Sequence, residues 1–509
     1  MISDQFPALI IVFPLIIAFW INIVGWWWKR PCFYMSMLAL SVSFISSLGM
    51  LNTVISKGTI HYRLGGWEPP WGIEYVVDHL NALILIIVSF VGLVVGIYSK
   101  KSIEKEISES KIPQFYSIYT LLVMGLLGMT VTGDAFNLYV LLEIASLAGY
   151  ALIALGEDGA PLASFNYVIM GTIGACFYLL GVGYLYIVTG SLNMADLSQL
   201  LPNLYHSKVV LVAFAFLMVG VAIKMAFFPL HIWLPDAYTH APSSVSAFVA
   251  ATMTKVGAYV MIRVMFTIFK PYFSIEMLPA TTILCWIAVA AMIYGCILAI
   301  AQNDIKRMLC YIIIAEVGYI VMGISVGNRM GFTGAVLHIM NDAFMMACLF
   351  LAVGAVYYKT GARTISGYKA LFKKMPLTSG SFAIGALSVI GIPPTCGFFS
   401  KWYLVLGAIN AQQWAFAVAL LVSSLLSAVV FFRILQNMFF SPNENPPIPP
   451  LEKGGEGGFE KQGKGIFPHE APASMLIPIF ITVAGILLLG VYSGQIISTI
   501  IQFTVPEGF

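Results

Sequence analysis

Residues 222–242 read AIKMAFFPLHIWLPDAYTHAP, a lysine at 224 followed by prolines at 229, 235 and 242 within a largely apolar run. Proline removes an intrahelical hydrogen bond and bends a helix, so this stretch predicts a helix that unwinds near its centre beside a charge. A second stretch has the same design: SVIGIPPTCGFFSKWYL (388–404) carries Pro393, Pro394 and Lys401. Non-helical backbone at membrane depth is tolerated only where it is buried in protein or lines a wet cavity. A matched pair of broken helices in two halves of a chain points to an inverted repeat with a transport path near the midplane.

The surrounding sequence agrees with a membrane setting. Of 509 residues, 60% are hydrophobic and 10% charged, with a mean hydropathy of +0.90. Soluble domains carry about 25% charged residues, so a soluble protein is excluded. Fourteen apolar segments lie near 6–28, 32–55, 80–98, 114–132, 134–155, 162–190, 208–228, 243–269, 279–301, 307–326, 332–358, 379–408, 413–440 and 473–502. Each backbone N–H and C=O must be paired within its own segment, and a β-barrel would give weak alternating runs instead of these continuous ones. The expected fold is therefore all-α, a polytopic membrane helix bundle of about 14 spans with two inverted repeats, spans 4–8 and 9–13, each containing a proline-broken helix. The corresponding divisions are 1–112, 113–278 (first repeat), 279–440 (second repeat), 441–470 and 471–509. The first run lacks a basic leader and is too long for a signal-peptide core, so it is read as a span. The Pro-, Gly- and Lys/Glu-rich stretch 441–465 is expected to be a disordered cytoplasmic loop.

The charges fall into two groups. Of 26 Lys and Arg, seventeen lie in odd-numbered connections and five in even-numbered ones. The odd connections are therefore expected to be cytoplasmic and both termini to face outward. Lys224, Lys255, Arg263 and Lys401 remain inside spans. The net charge of +3 offers no basic surface for nucleic acid. The seven cysteines form no C-x-x-C pair, so no iron–sulfur or zinc framework is expected, and no metal or other cofactor.

With Glu143, Glu316 and Asp342, the intramembrane ionisable residues number seven. Each costs about 2.5–3.5 kcal/mol at the bilayer centre unless paired, hydrated or neutralised. Desolvation weakens an ammonium's hold on its proton and a nearby carboxylate restores it, so a buried lysine facing a glutamate can exchange a proton, whereas arginine cannot. Glu143 is expected to tune Lys224, with Lys255 and Lys401 as further relay stations; a static ion pair is the competing reading for Glu143 and Lys224. Arg263 is read as a helix-end anchor or fixed counter-ion. His231, His240 and His338 lie beside these stations, and imidazole can pass a proton between its nitrogens. His338 and Asp342 share a helix face at i and i+4, as relay members or as interhelical hydrogen-bonding pairs. Glu316 has the same two readings.

At these residues the chain resembles the proton-translocating membrane subunits shared by Mrp-type Na⁺/H⁺ antiporters, respiratory complex I and membrane-bound hydrogenases. The resemblance rests on NLYVLLEIASLAGYALIAL (137–155) around Glu143, on Lys224 with the HIWLPDAYTHAP stretch (231–242) and Lys255, and on GIPPTCGFFSKW (391–402) with Lys401. Two further stretches, LGGWEPPWGIEYVVDHLNALIL (64–85) and TGSLNMADLSQL (189–200), look most like the D-type subunit of Mrp antiporters and the related hydrogenase subunit. Two positions depart from the family pattern. Asn166-Tyr167 stands where Lys-Tyr often opens span 6, and Asn341-Asp342-Ala343 with Met346 stands where Asn-His-Ala and a lysine often occur.

The resemblance implies a proton-translocating subunit of a multi-subunit cation/proton antiporter, moving protons through the midplane lysine/glutamate relay. Its partners would be other membrane subunits, protons, Na⁺ or K⁺, and the lipid bilayer of the cell membrane. The alternative is a proton-pumping subunit of an NADH–quinone oxidoreductase or hydrogenase, with the redox chemistry carried by partner chains. An autonomous transporter or receptor is the third class.

Overall fold

The computed structural model describes residues 3–278, 280–440, 470–506 and 508–509. The expected disordered stretch at 441–465 lies outside the described residues. The chain runs α1 (Phe6–Gly25), α2 (Arg30–Lys57), strands β1 (Ile60–Arg63) and β2 (Glu74–Val77), then α3 (His79–Glu106), α4 (Ile112–Val131), α5 (Ala135–Ala154), α6 (Ala160–Thr189) and a short α7 (Met194–Leu200). It continues through α8 (Lys208–Lys224), α9 (Trp233–His240), α10 (Ser243–Ile262), α11 (Ala280–Ala301), α12 (Ile305–Ser325) and α13 (Arg329–Thr360). The last elements are α14 (Leu371–Lys374), α15 (Pro376–Ile390), α16 (Cys396–Asn410), α17 (Trp414–Phe440), α18 (Ala473–Val491) and α19 (Ser493–Thr499).

Among the described residues, twelve helices are long and apolar enough to cross a membrane. The two proline-interrupted segments are each divided. α8 ends at Lys224 and α9 begins at Trp233; α15 ends at Ile390 and α16 begins at Cys396. The two stops differ locally. α15 stops on Gly391 at φ +92°, a left-handed position that glycine takes without steric cost. The break after α8 holds Ala226 at φ +55°, which costs about 1–2 kcal/mol for a residue with a Cβ and is kept by the packing around it.

The hairpin was not foreseen from the sequence. β1 and β2 pair antiparallel, Ile60 opposite Val77 and Arg63 opposite Glu74, in segments too short and polar to stand out among helices. Tyr62 donates to Gln5 at 2.7 Å, and His79 stacks on Phe503 at 4.9 Å. The described chain ends therefore lie at the hairpin end of the bundle.

The core is built around α10, whose twenty residues are all buried. Its sequence is apolar and small on every side, which suits a helix surrounded by others, and it packs against α3, α4, α8, α12 and α13. Its start is pinned by partners from elsewhere: the Ser243 N–H donates to Glu106 at 2.7 Å and Lys306 donates to the Ala241 carbonyl at 2.9 Å. α6 and α8 approach closely through Gly174 and Gly220; a Cβ on Gly220 would lie 2.7 Å from the Gly174 carbonyl oxygen. The outer helices leave apolar side chains such as Phe19, Ile187 and Leu425 exposed, as lipid-facing surfaces do.

Candidate functional site

The break after α8 places the first buried lysine. Lys224, the last residue of α8, points at α5, where its Nζ donates to Ser146 at 2.8 Å and lies 3.3 Å from the Glu143 carboxylate and 3.5 Å from the Tyr150 hydroxyl. Lys224 is buried, whereas a quarter of the Glu143 side chain is exposed on the outer flank of the bundle. Tyr150 meets Tyr167 edge to face, and Tyr167 stacks on Trp233 of α9 at 3.9 Å. Trp233 in turn donates to the Ile223 carbonyl at 3.0 Å, which also accepts from the Ala226 N–H where α8 ends. The aromatic stack thus fixes the broken segment against α5 and α6.

A second group of buried charges lies at the centre. Lys255 of α10 stands 2.6 Å from Asp342 of α13, with side-chain exposures of 1% and 0%, and it also donates to the Ala250 carbonyl at 2.7 Å. One turn before Asp342, His338 faces another neighbour. Its Nε2 is 2.9 Å from the Glu316 carboxylate on α12, and its Nδ1 is 2.9 Å from the Ser400 hydroxyl on α16. Ser400 precedes Lys401. The Lys401 ammonium donates to the Val389 carbonyl at 2.7 Å, a group left free where α15 breaks, and to Ser424 at 3.2 Å. It also sits 4.4 Å above the Tyr319 ring, one turn from Glu316. Lys255, Asp342, His338, Glu316 and Lys401 therefore form one buried polar line across α10, α13, α12 and α16.

The three lysines differ in their surroundings: Glu143 lies beside Lys224 as expected, Asp342 lies beside Lys255, and Lys401 meets carbonyl, hydroxyl and ring. Asp342 is the residue at which the sequence departs from the family pattern, and it supplies the counter-charge of the central lysine. His338 and Asp342 do share a face of α13, but they reach different helices, because side chains one turn apart diverge toward whichever neighbour is closest.

The remaining predicted residues scatter. His231 is buried in the α8–α9 break, packed beside Phe228 and Tyr294, with Nδ1 unpartnered. His240 closes α9 and bonds the Asp236 carbonyl at 2.9 Å; it lines a cavity of about 30 Å³ with Glu106, Lys306 and Arg363 at the end of the bundle away from the hairpin. Twelve residues of helix separate the start of α10 from Lys255, about 18 Å of rise, so His240 belongs to a mouth and not to the midplane. Asn166 is exposed, and Met346 is buried. Arg263 is a fixed counter-ion: it pairs with Asp78 at 2.7 Å and also bonds Asn81 and the Tyr259 hydroxyl. Burial would raise the Asp78 carboxyl, but the Arg263 guanidinium more than reverses this and holds it below the usual carboxylate range.

Sequence reasoning missed Ser146, Tyr150, Tyr319 and Ser400, which carry no charge to draw attention in an apolar run. Their spacing held a weak signal. Ser146 and Tyr150 follow Glu143 at the three- and seven-residue intervals of one helix face, and Tyr319 follows Glu316 at three.

Residues 132–427, which hold Glu143, Lys224, Lys255 and Lys401, match the family model described as NADH:quinone oxidoreductase/Mrp antiporter, TM. The chain is 44% identical over 512 residues, 99% of each chain, to an NADH-quinone oxidoreductase subunit N from Desulforudis audaxviator. It is 32% identical to the D-type subunit of a Na(+)/H(+) antiporter from Bacillus subtilis, over 81% of this chain and 83% of that one. Among solved structures, a chain of an archaeal membrane-bound sulfane sulfur reductase superposes with a TM-score of 0.86 at 30% identity, covering 98% of this chain and 96% of that one. A chain of the Mrp complex from Dietzia shares the fold, with a TM-score of 0.86 at 23% identity over 99% and 97% of the two chains. With its broken helices, its buried lysines and a matched region that spans them all, this multi-pass membrane protein belongs to the NADH:quinone oxidoreductase/Mrp antiporter transmembrane family.

Proposed function

We propose that this chain is the proton-translocating subunit of a hetero-oligomeric cation/proton antiporter, similar to the D-type subunit of Mrp assemblies. The observation that carries the reading is the buried line from Lys255 to Lys401, with adjacent charged or polar groups within 2.6–2.9 Å at Lys255–Asp342, Glu316–His338 and His338–Ser400. Buried charges are costly and tolerated in membranes chiefly where they serve an ion path, and lysine, histidine and carboxylate can each give and take a proton. Lys224 and Glu143 form a separate station on the flank. Opening and closing of that pair would alter the charge felt inside the bundle and drive protons along the central line, with His240 and its cavity at one mouth.

The membrane and orientation belong to the same proposal. The chain sits in the cell membrane, with the end bearing His240 and the Lys/Arg-rich connections in the cytoplasm and the hairpin end outside. The two broken segments mark two inverted repeats, 113–278 and 279–440, and Na⁺ or K⁺ movement takes place elsewhere in the assembly. Replacing Glu143 or Lys224 with Ala is expected to abolish proton-coupled activity in membrane vesicles at normal levels of assembled protein. Near-normal activity in either variant refutes the relay.

The full-length 44% identity to a protein named NADH-quinone oxidoreductase subunit N favours a second reading, in which partner chains drive the same relay by redox chemistry. Co-purification separates the two: small multi-span antiporter subunits support the first, and Cys-rich iron–sulfur or nickel subunits the second.

A further inference from the structure

At the end of the bundle away from the hairpin, the start of α2, the last turns of α3 and the start of α4 enclose a cavity of about 560 Å³. Lys29, Arg30 and Lys100 give it a cationic rim, and Phe33, Ile103 and Tyr116 give it an apolar wall. Two carboxylates also line it, and each is already engaged: Glu104 pairs with Lys101 at 2.7 Å and Glu109 with Lys29 at 3.7 Å. Among the described residues, Arg30 and Lys100 have no such partner. The Lys100 ammonium stands 5.0 Å from the centre of the Phe33 ring and 5.3 Å from that of Tyr34. Lys100 therefore overlies the aromatic side of the cavity, and Arg30, likewise without an ion pair, lines it as well.

The depth of the cavity follows from its neighbours. Trp26, Trp27 and Trp28 directly precede Lys29 in the chain, with 87%, 68% and 68% of their surface exposed, and tryptophan gathers where headgroups meet hydrocarbon. Lys100 lies six residues before the end of α3, so its backbone is set about 9 Å in from the helix end. None of these residues takes part in the relay.

We propose that this cavity binds the headgroup of an anionic phospholipid, with the phosphodiester between Arg30 and Lys100 and the glycerol and first acyl carbons against Phe33, Ile103 and Tyr116. A guanidinium presents a planar fork matched to phosphate oxygens, and basic pockets between membrane helices suit anionic headgroups. Free phosphate would satisfy the cations but leave the apolar wall facing water. A lipid supplies both the charge and the hydrocarbon, at the depth where the cavity opens.

The test uses the full chain in nanodiscs of phosphatidylcholine with and without phosphatidylglycerol, reading retained lipid by native mass spectrometry after detergent exchange. Phosphatidylglycerol is expected to stay bound to the wild-type chain. Arg30→Gln and Lys100→Gln should each lower its retention roughly fivefold, while Lys57→Gln, at the opposite end of α2, leaves it unchanged. Arg30 is exposed, so its single variant folds even where substitution at Lys100 does not. Equal retention by Arg30→Gln, an equal loss in Lys57→Gln, or displacement of phosphatidylglycerol by millimolar inorganic phosphate each overturns the proposal.

Discussion

The Lys255 ammonium lies 2.6 Å from the Asp342 carboxylate, and neither side chain is more than 1% exposed. The pair joins α10, the helix buried along its whole length, to α13, whose His338 carries the polar line onward to α12 and α16. Removing one member of a buried pair strands the other charge at a cost of about 3–5 kcal/mol, whereas replacing both with apolar residues of similar volume is often tolerated. Asp342→Asn is therefore expected to lower the thermal midpoint in detergent and to abolish proton-coupled transport. The double variant Lys255→Met/Asp342→Leu should regain the midpoint and remain inactive. Transport near the wild-type rate by the double variant would remove the pair from the relay.

His338 offers a cleaner separation of packing from transport. His338→Gln can keep a hydrogen bond to Ser400 but loses the titratable ring beside Glu316. We expect normal assembly with proton-coupled transport reduced about tenfold or more, in the range general acid–base groups contribute. Ser400→Ala, which leaves the His338–Glu316 contact in place, should cost far less. Equal losses in the two variants would make His338 a packing residue.

The close approach of α6 and α8 sets the position of Lys224. Gly220 lies one turn before Lys224, and an added side chain there meets backbone atoms of Gly174 and Tyr178 at 2.7 Å. Gly220→Val should push α8 away from α6, costing about 1–3 kcal/mol as overpacking does. Lys224 would then move off Ser146. Cross-linking of cysteines placed on α5 and α8 reports the displacement, and an unchanged cross-linking pattern with unchanged transport contradicts it.

Acid should loosen the hairpin end first. Asp78 is held below the ordinary carboxylate range in the folded chain: burial opposes this, and Arg263 at 2.7 Å outweighs it. A depressed folded pKa contributes stability that is present above the unfolded value and is lost as pH falls through the folded one. The thermal midpoint of the wild-type chain is therefore expected to decline as pH drops below about 4. Asp78→Asn should start lower, by on the order of 2 kcal/mol for a lost charge-assisted hydrogen bond, and show a shallower acid slope. An unchanged slope in the variant would assign the acid sensitivity to other groups.

The spans were legible because the bilayer forces each backbone to satisfy itself, so hydropathy alone marks where helices run. Proline beside lysine marked the two breaks for the same reason, and the structure divides the helices there. The hairpin at Ile60–Arg63 and Glu74–Val77 escaped notice, since four-residue strands leave no periodic signal beside helices of twenty residues or more. The buried charges were conspicuous as exceptions in apolar runs, whereas Ser146, Tyr150 and Ser400 were not.

The sequence by itself determined that this is a multi-pass helical membrane protein, which residues sit at the wrong polarity for their surroundings, and which family pattern they follow. Tertiary structure decided who faces whom. A helix's hydropathy does not specify its rotation once it is apolar on every side, and α10 and α13 are buried nearly all round. Only packing against neighbours turned Lys255 toward Asp342 and His338 toward Glu316. The spacing of His338 and Asp342 put both on one face of α13; the fold decided that His338 reaches Glu316 of α12 while Asp342 reaches Lys255 of α10.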